Sequence, residues 1–507
     1  MQNRSGTVPC GLSETLQEIS LIGHPAALLN WLEIDREKSA PLYDQISGQI
    51  RVAISLGRLS PGTVLPASRV LSRELGVSRI TTLKAYEQLT AEGFLEARRG
   101  VGTRVTEDLS GTSIARLAGA HQTQMKTYDN KAKHLLKLFD TASTSLAFQP
   151  GIPAFDAFPH GVWSRVLSRQ ALQTDADMLD YAHTGGYARL REQLAFYLRS
   201  SRGVECDPEQ VIVVTSVRSA IATASAVLWK RGAVVAVEDP GYTVARECLT
   251  QSGCKVLPIP TDAKGLQVGK LLENRQDCAG VYLTAAHHWP TGVTLAADRR
   301  VKLLDWAIQK EAWIIEDDYD SEFRFDSPPL GTLYALGSGR SIYVGTFSKT
   351  LAPSIRTAYL VVPHELIPCF ERDVFFRAVE PALHVQAALS EFMADGRFTR
   401  HIGRMRKLYA RRRQTLADAL RSRFGSRLDV VVPAGGLQLI AHLPVTISAQ
   451  QAVLRAADVG IFLRDISGCY IREQPNLNAL HIGFAAVPED QIGPKVDRLA
   501  DALGDNF

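Results

Sequence analysis

A chain of 507 residues is longer than one core organises, so two or three domains are expected. It is 45% hydrophobic and 22% charged, and it has neither a signal-peptide core in its opening MQNRSGTVPCG nor a run of about eighteen apolar residues to cross a bilayer; a soluble, cytoplasmic protein is the expectation. The 7 cysteines are scattered and form no C-x-x-C pair, which argues against a disulfide framework and against a zinc site.

The formal charge of +4 is unevenly placed. Between Pro41 and Val105 nine Lys or Arg face five Asp or Glu, so this short window carries the whole surplus and is the expected footprint of a polyanion partner. Residues 1–38 read as an extension. In 39–106 the four-residue spacing of Leu42, Ile46, Ile50 and Ile54 marks one face of a helix. "ASRVLSRELGVSRITTLKAYEQLTAEGF" then gives two helices around Gly76-Val77, with Ser78 capping the second and Leu83, Tyr86 and Leu89 facing inward. That is helix-turn-helix spacing. Arg79, Thr81, Thr82 and Lys84 at the start of the second helix are candidates for contacts to operator DNA. "FLEARRGVGTRV" reads as a two-stranded wing bringing Arg98, Arg99 and Arg104 near phosphates. Residues 107–143 have no sustained core pattern and read as a linker.

From about residue 175 strand-length apolar runs alternate with helical stretches: "VIVVT" (211–215), "AVVAVE" (233–238), "GVYLT" (280–284), "AWIIE" (312–316) and "SIYVG" (341–345). The pattern predicts an α/β region, a mostly parallel sheet with helices on both faces. It occupies 144–507, with a large part at about 175–370 and a smaller α+β part at about 371–507. Each run ends in polar or glycine-containing residues: Thr215-Ser216, "DPGY" (239–242), "AAHHWPTG" (285–292), "DDYDSEF" (317–323) and "TFSKT" (346–350). Ligands of open parallel sheets bind outside the carboxyl ends of the strands, so the five tails are expected in one crevice.

Taken singly, a lysine is usually a surface residue, an Asp after a strand a cap, and a Tyr after Pro-Gly packing. Together they suit a phosphorylated aromatic aldehyde such as pyridoxal 5'-phosphate. Lys349 would form the Schiff base, Asp317 hold the ring nitrogen, Tyr319 the phenolic oxygen, and Tyr242 the ring face. Thr346, Ser348, Arg356 and the helix start at Ser216 would hold the phosphate.

The order "PLYDQI", "LPASRVLSRELGVSR", "AYEQLTAEGFLEARRGVGT" resembles the winged helix-turn-helix of GntR-type repressors, and that resemblance adds Arg69 to the DNA-contacting set. From about residue 145 onward "YAHTGGYARLREQLAFYL", "VEDPGY", "IIEDDYDSEFRF" and "GTFSKTLAPSIRTAYLVVP" resemble a fold-type I aminotransferase, the pyridoxal-phosphate-dependent transferase fold. The two halves together resemble the MocR/GabR-type transcriptional regulators. The resemblance implies a head-to-tail homodimer that senses an amine, an amino acid or the cofactor itself through an aldimine at Lys349. The alternatives are an active aminotransferase carrying a DNA-binding domain and a vitamin B6 sensor.

Three positions depart from a working transaminase. Val217 and Arg218 stand where relatives usually place Gly-Ala or Gly-Thr, and a β-branched residue would hinder backbone approach to a phosphate. Trp289 replaces the asparagine that holds the phenolic oxygen. His481 replaces an arginine that clamps a carboxylate and is the candidate effector contact unless Arg464 or Arg472 serves. The adjacent His287 and His288 read as polar loop residues, with no metal site expected.

Overall fold

The computed structural model describes residues 31–36, 40–98, 102–107, 147–180, 184–325, 331–337, 339–472 and 478–504. The chain separates into two compact units, Met1–Ala142 and Ser143–Phe507. Most of the expected extension and all but the first residue of the 107–143 linker lie outside the described residues, as does Arg99.

In the first unit three helices, α1 (Leu42–Ser55), α2 (Ser68–Glu74) and α3 (Arg79–Ala91), pack over Ile46, Ile50, Leu71, Ala85 and Leu89, all fully buried. Ser78 caps α3, its hydroxyl accepting the Thr81 N–H at 3.1 Å. The inward stripe of α3 is Thr82, Ala85, Tyr86 and Leu89, the i, i+3, i+4, i+7 set. Leu83 lies one residue off that stripe and is 43% exposed, which corrects its expected inward direction. Strands β1 (Leu95–Arg98) and β2 (Gly102–Val105) pair antiparallel as the wing, with Leu95 opposite Val105.

The second unit is built on an eight-stranded sheet in the order β3-β10-β9-β8-β7-β4-β5-β6. Its strands are β3 (Val211–Val214), β4 (Val234–Asp239), β5 (Lys255–Asp262), β6 (Gly265–Leu266), β7 (Cys278–Leu283), β8 (Trp313–Asp318), β9 (Ser341–Thr346) and β10 (Ala358–Val361). β4, β5, β7, β8 and β9 run parallel; β10 is antiparallel to both β3 and β9. Successive side chains alternate between faces, so Tyr282 and Ile315 pack with Ile221 and Ala224 of a helix at Val217–Leu228, while Val281 and Ile314 pack with Leu303 and Ala307 of a helix at Ala297–Gln309. Covering both faces explains why the strands read as continuous apolar runs. β5 and β10 were not in the expected strand set. The prolines at 258 and 260 disguise β5 as a loop.

A four-stranded antiparallel sheet, in the order β11 (Asp429–Val431), β12 (Gln438–His442), β14 (Ala479–Gly483), β13 (Arg464–Asp465), forms the smaller part. Among the described residues no helix is long and apolar enough to cross a membrane.

Candidate functional site

The sheet changes winding direction between β4 and β7, which are neighbours although β5 and β6 intervene in sequence. A crevice at the carboxyl ends of strands is the expected ligand position at such a point. Asp317 stands near the end of β8 and is 3% exposed. The Tyr282 hydroxyl donates to its Oδ2 at 2.5 Å, while Oδ1 is buried with no partner among the described residues. Burial pushes its carboxyl up to about 7; the Tyr282 bond opposes this, and the charges of Asp318 and Asp320 add to it. A carboxylate with one oxygen held and the other bare is prepared for a cationic N–H.

Lys349, three residues past β9, donates from Nζ to the Gly151 carbonyl at 2.6 Å. Burial draws its amine below the usual lysine value, against the pull of Asp320; Arg464 adds to the lowering and Asp317 opposes it. A lysine so placed reaches its neutral, nucleophilic form more easily than one in water. Beside it Thr346 donates to Ser348 Oγ at 3.1 Å and accepts the Ser348 N–H at 3.1 Å.

Ser216 caps the helix at Val217–Leu228, accepting the Ser219 N–H at 3.2 Å, and the start of a helix is favourable ground for an anion. Val217 packs its branch against the layer between this helix and the sheet. Arg218 is exposed, and its charge lowers the affinity of Tyr242 for its proton. Arg356 is also exposed, in the left-handed region at φ 53°, after a short turn at Pro353–Ile355.

Tyr242, Trp289 and Tyr319 stand edge to face, with ring centroids 6.3 Å apart from Trp289 to each tyrosine. Burial, and then the Asp317 charge, push the Tyr242 hydroxyl up to about 12. His481 is fully buried and bonds through Nε2 to the Pro290 carbonyl at 2.7 Å, 4.8 Å from the Trp289 ring. Burial lowers its imidazole to about 4, so it is neutral. With no exposed surface it is removed from the expected effector contacts. The residue directly across the strand pair from it is Arg464, half-buried, whose charge is felt at Lys349, Tyr242 and His481. Opposed residues of an antiparallel pair share a face, so a guanidinium is offered from the neighbouring strand. The Arg472 N–H instead reaches Asp239 at 3.4 Å.

His287 and His288 lie in the loop after β7, as expected of polar loop residues, and are buried there, 5% and 1% exposed. His288 bridges Thr291 and the Pro240 carbonyl; His287 meets Asp320. Among the described residues no three His, Cys, Asp or Glu gather as a metal site.

Several residues of the site carry no sequence motif of their own. Tyr282 holds Asp317 from the neighbouring strand, and Gly151 holds Lys349 from nearly two hundred residues away. Arg202, 3% exposed, pairs with Asp318 at 3.3 Å and Glu322 at 3.4 Å and pins the segment that carries Asp317 and Tyr319.

In the first unit, Arg69, Arg79 and Lys84 are exposed, Lys84 lying over the Tyr43 ring at 4.0 Å, and Arg98 is 57% exposed at its side chain. Thr81 is half-buried with its hydroxyl on Ser78 at 2.7 Å. Thr82 is fully buried, so its expected DNA contact is withdrawn. Arg104 is 12% exposed and holds Glu96 at 2.5 Å and Glu107 at 3.0 Å, so it braces the wing internally rather than presenting a free cation.

Fold and site define a class: a winged helix-turn-helix joined to an aminotransferase domain. Residues 42–105 match the bacterial regulatory proteins of the gntR family, and residues 157–499 match aminotransferase class I and II. The chain is 34% identical over 93% of its length to the probable rhizopine catabolism regulatory protein MocR of Rhizobium meliloti, covering 96% of that protein. It is 34% identical over 90% of its length to the pyridoxine biosynthesis transcriptional regulator PdxR of Corynebacterium glutamicum, covering 95% of it. Among solved structures, the Pyrococcus horikoshii kynurenine aminotransferase superposes with a TM-score of 0.65 at 27% identity, over 74% of this chain and 94% of that one. The chain belongs to the MocR-type regulators of the gntR family, DNA-binding transcriptional regulators that carry an aminotransferase-like domain.

Proposed function

We propose that this chain is a cytoplasmic, homodimeric repressor or activator whose second unit holds pyridoxal phosphate on Lys349 and reads out a small amine that also bears a carboxylate. The observation that carries this is the pairing of a buried Asp317 oxygen, without a partner among the described residues, with a lysine amine of lowered basicity at the ends of adjacent strands. Tyr319, Thr346, Ser348, Arg356 and the amides after Ser216 complete the holding set. The cofactor supplies a carbonyl that condenses with an amine and a ring that draws electrons. Asp317 keeps the ring nitrogen protonated, Tyr242 and Trp289 exclude water, and Arg464 receives the carboxylate of the effector.

Where Lys349 is not engaged by the cofactor, its amine would be held by the chain itself. Its Nζ then donates to the Gly151 carbonyl, in the segment that runs from Ala147 to Gly151. That segment is tied on to Phe462, whose N–H donates to the Ala147 carbonyl at 2.9 Å, close to Arg464. The state of the lysine and the position of the carboxylate receptor therefore bear on one segment.

A regulator, rather than a turnover enzyme, is favoured by Trp289 filling the space between the two tyrosines and by the burial of His481. The PdxR relative supports a second reading, in which the cofactor itself is sensed.

The test is DNA affinity, measured on duplexes selected from a random pool with the full-length protein. Cofactor-loaded protein is compared with and without a panel of amino acids, and with cofactor-free protein. At least one amino acid is expected to change affinity five-fold or more, and Arg464→Ala to abolish the response. Unchanged DNA affinity together with steady multiple turnover on a keto acid overturns the regulatory reading. A response to cofactor loading alone selects the second one.

A further inference from the structure

Tyr319 has neighbours that settle where its hydroxyl hydrogen points. His287 Nδ1 lies 2.9 Å from Asp320 Oδ1 and 3.1 Å from the Tyr319 hydroxyl. An ionised carboxylate only accepts, so the hydrogen between His287 and Asp320 is on Nδ1. A nitrogen carrying its hydrogen cannot accept another. Tyr319 therefore meets His287 oxygen first, and its own hydrogen is turned elsewhere.

Two further observations fit this tautomer. Nε2 of His287 is buried without a partner among the described residues, and in this form it is a bare acceptor rather than an orphaned N–H. The ring is also walled in by glycines: a Cβ at Gly436 would stand 2.2 Å from its Cε1, and one at Gly292 3.1 Å from Nε2. Both glycines have positive φ, 86° and 72°, so larger residues are disfavoured there twice over. Asp320, 1% exposed, is in addition the strongest charge acting to keep Lys349 protonated.

We propose that Asp320 and His287 are positioning residues that hold the Tyr319 hydroxyl as a hydrogen-bond donor into the cofactor site, where the phenolic oxygen of pyridoxal phosphate is its acceptor. The proposal rests on the cofactor reading above and adds to it a dyad that acts through Tyr319 without touching the ligand. The charges bearing on Tyr319 are Asp320, Asp317, Glu238 and Asp318, with His287 beside it; Arg464 bears on Lys349. All but His287 are retained in the variants below.

A donor at the phenolic oxygen competes with the proton that this oxygen shares with the bound amine, and so lowers the pH at which the visible band titrates. The experiment is a pH titration of that band in full-length protein loaded with pyridoxal phosphate. His287→Leu is expected to raise the midpoint by about one pH unit, tenfold in proton affinity, and Tyr319→Phe by a similar amount. The double variant is expected to shift no further than Tyr319→Phe alone, since both remove one hydrogen bond. His287→Asn keeps an N–H where Nδ1 stands and should titrate like the wild type. His287→Gln carries its amide one carbon farther out and should shift as Leu does, which provides a second test if the Leu variant does not fold. A wild-type midpoint in both Leu and Gln variants, or a His287 shift that persists in full on top of Tyr319→Phe, overturns the assignment while leaving the cofactor in place. A wild type with no visible band overturns the cofactor reading and this assignment together.

Discussion

Asp317 is costly to the protein until something cationic meets it. Its carboxyl is held near 7 by burial, so the folded chain binds a proton there more tightly than the unfolded chain, whose value is 3.8. Stability from this group is present below 3.8 and is lost as pH rises towards 7. In cofactor-free protein Asp317→Asn should therefore stabilise the fold at pH 8 by about 1–3 kcal/mol, with the gain shrinking towards pH 4. The same variant should bind pyridoxal phosphate at least tenfold more weakly. Thermal melts of both proteins across pH check the first outcome; equal stability at pH 8 would show that Asp317 is not buried as a charge. The sequence made Asp317 legible through its strand-end position. It could not reveal Tyr282, because nothing in "GVYLT" distinguishes a tyrosine that packs from one that holds a carboxylate on the next strand. Nor could it pair His287 with Asp320, 33 positions apart.

Helices and strands were legible where periodicity or apolar length is strong. The five expected runs are strands β3, β4, β7, β8 and β9, each ending within two residues of the expected position. β5 is disguised by its prolines, whereas β10 is as apolar a run as β3 and only its antiparallel direction has no sequence signal. In α3 the expected Tyr86 and Leu89 do face inward and only Leu83 departs, because the turn of about 100° per residue sets it beside the stripe that Thr82 completes. The consequence is testable at the level of that element. Arg79→Ala should weaken binding to selected DNA about tenfold and reduce the salt dependence by about one contact, with the melting temperature unchanged. Thr82→Arg should instead unfold the first unit, since it forces a charge into a fully buried position. If Thr82→Arg folds normally and alters only DNA affinity, the phase assigned to α3 is wrong.

At the scale of the whole molecule, two units of separate fold share one chain, and their joint occurrence defines the regulator. That combination was legible from the sequence, because both motif sets are dense and lie in order along it. Whether the aminotransferase-like unit turns over a substrate was not legible, since fold alone does not fix activity and the positions that bear on it, Trp289, His481 and Arg464, act through their packing and strand register. The account depends above all on Lys349 as the attachment point. Borohydride reduction of the cofactor-loaded, full-length protein, followed by proteolysis and mass spectrometry, tests this directly. The predicted result is a visible band lost on reduction and a phosphopyridoxyl adduct on the peptide containing Lys349, both missing in Lys349→Ala. An adduct on another lysine, or no adduct under conditions that load the wild type of a known aminotransferase, would contradict it.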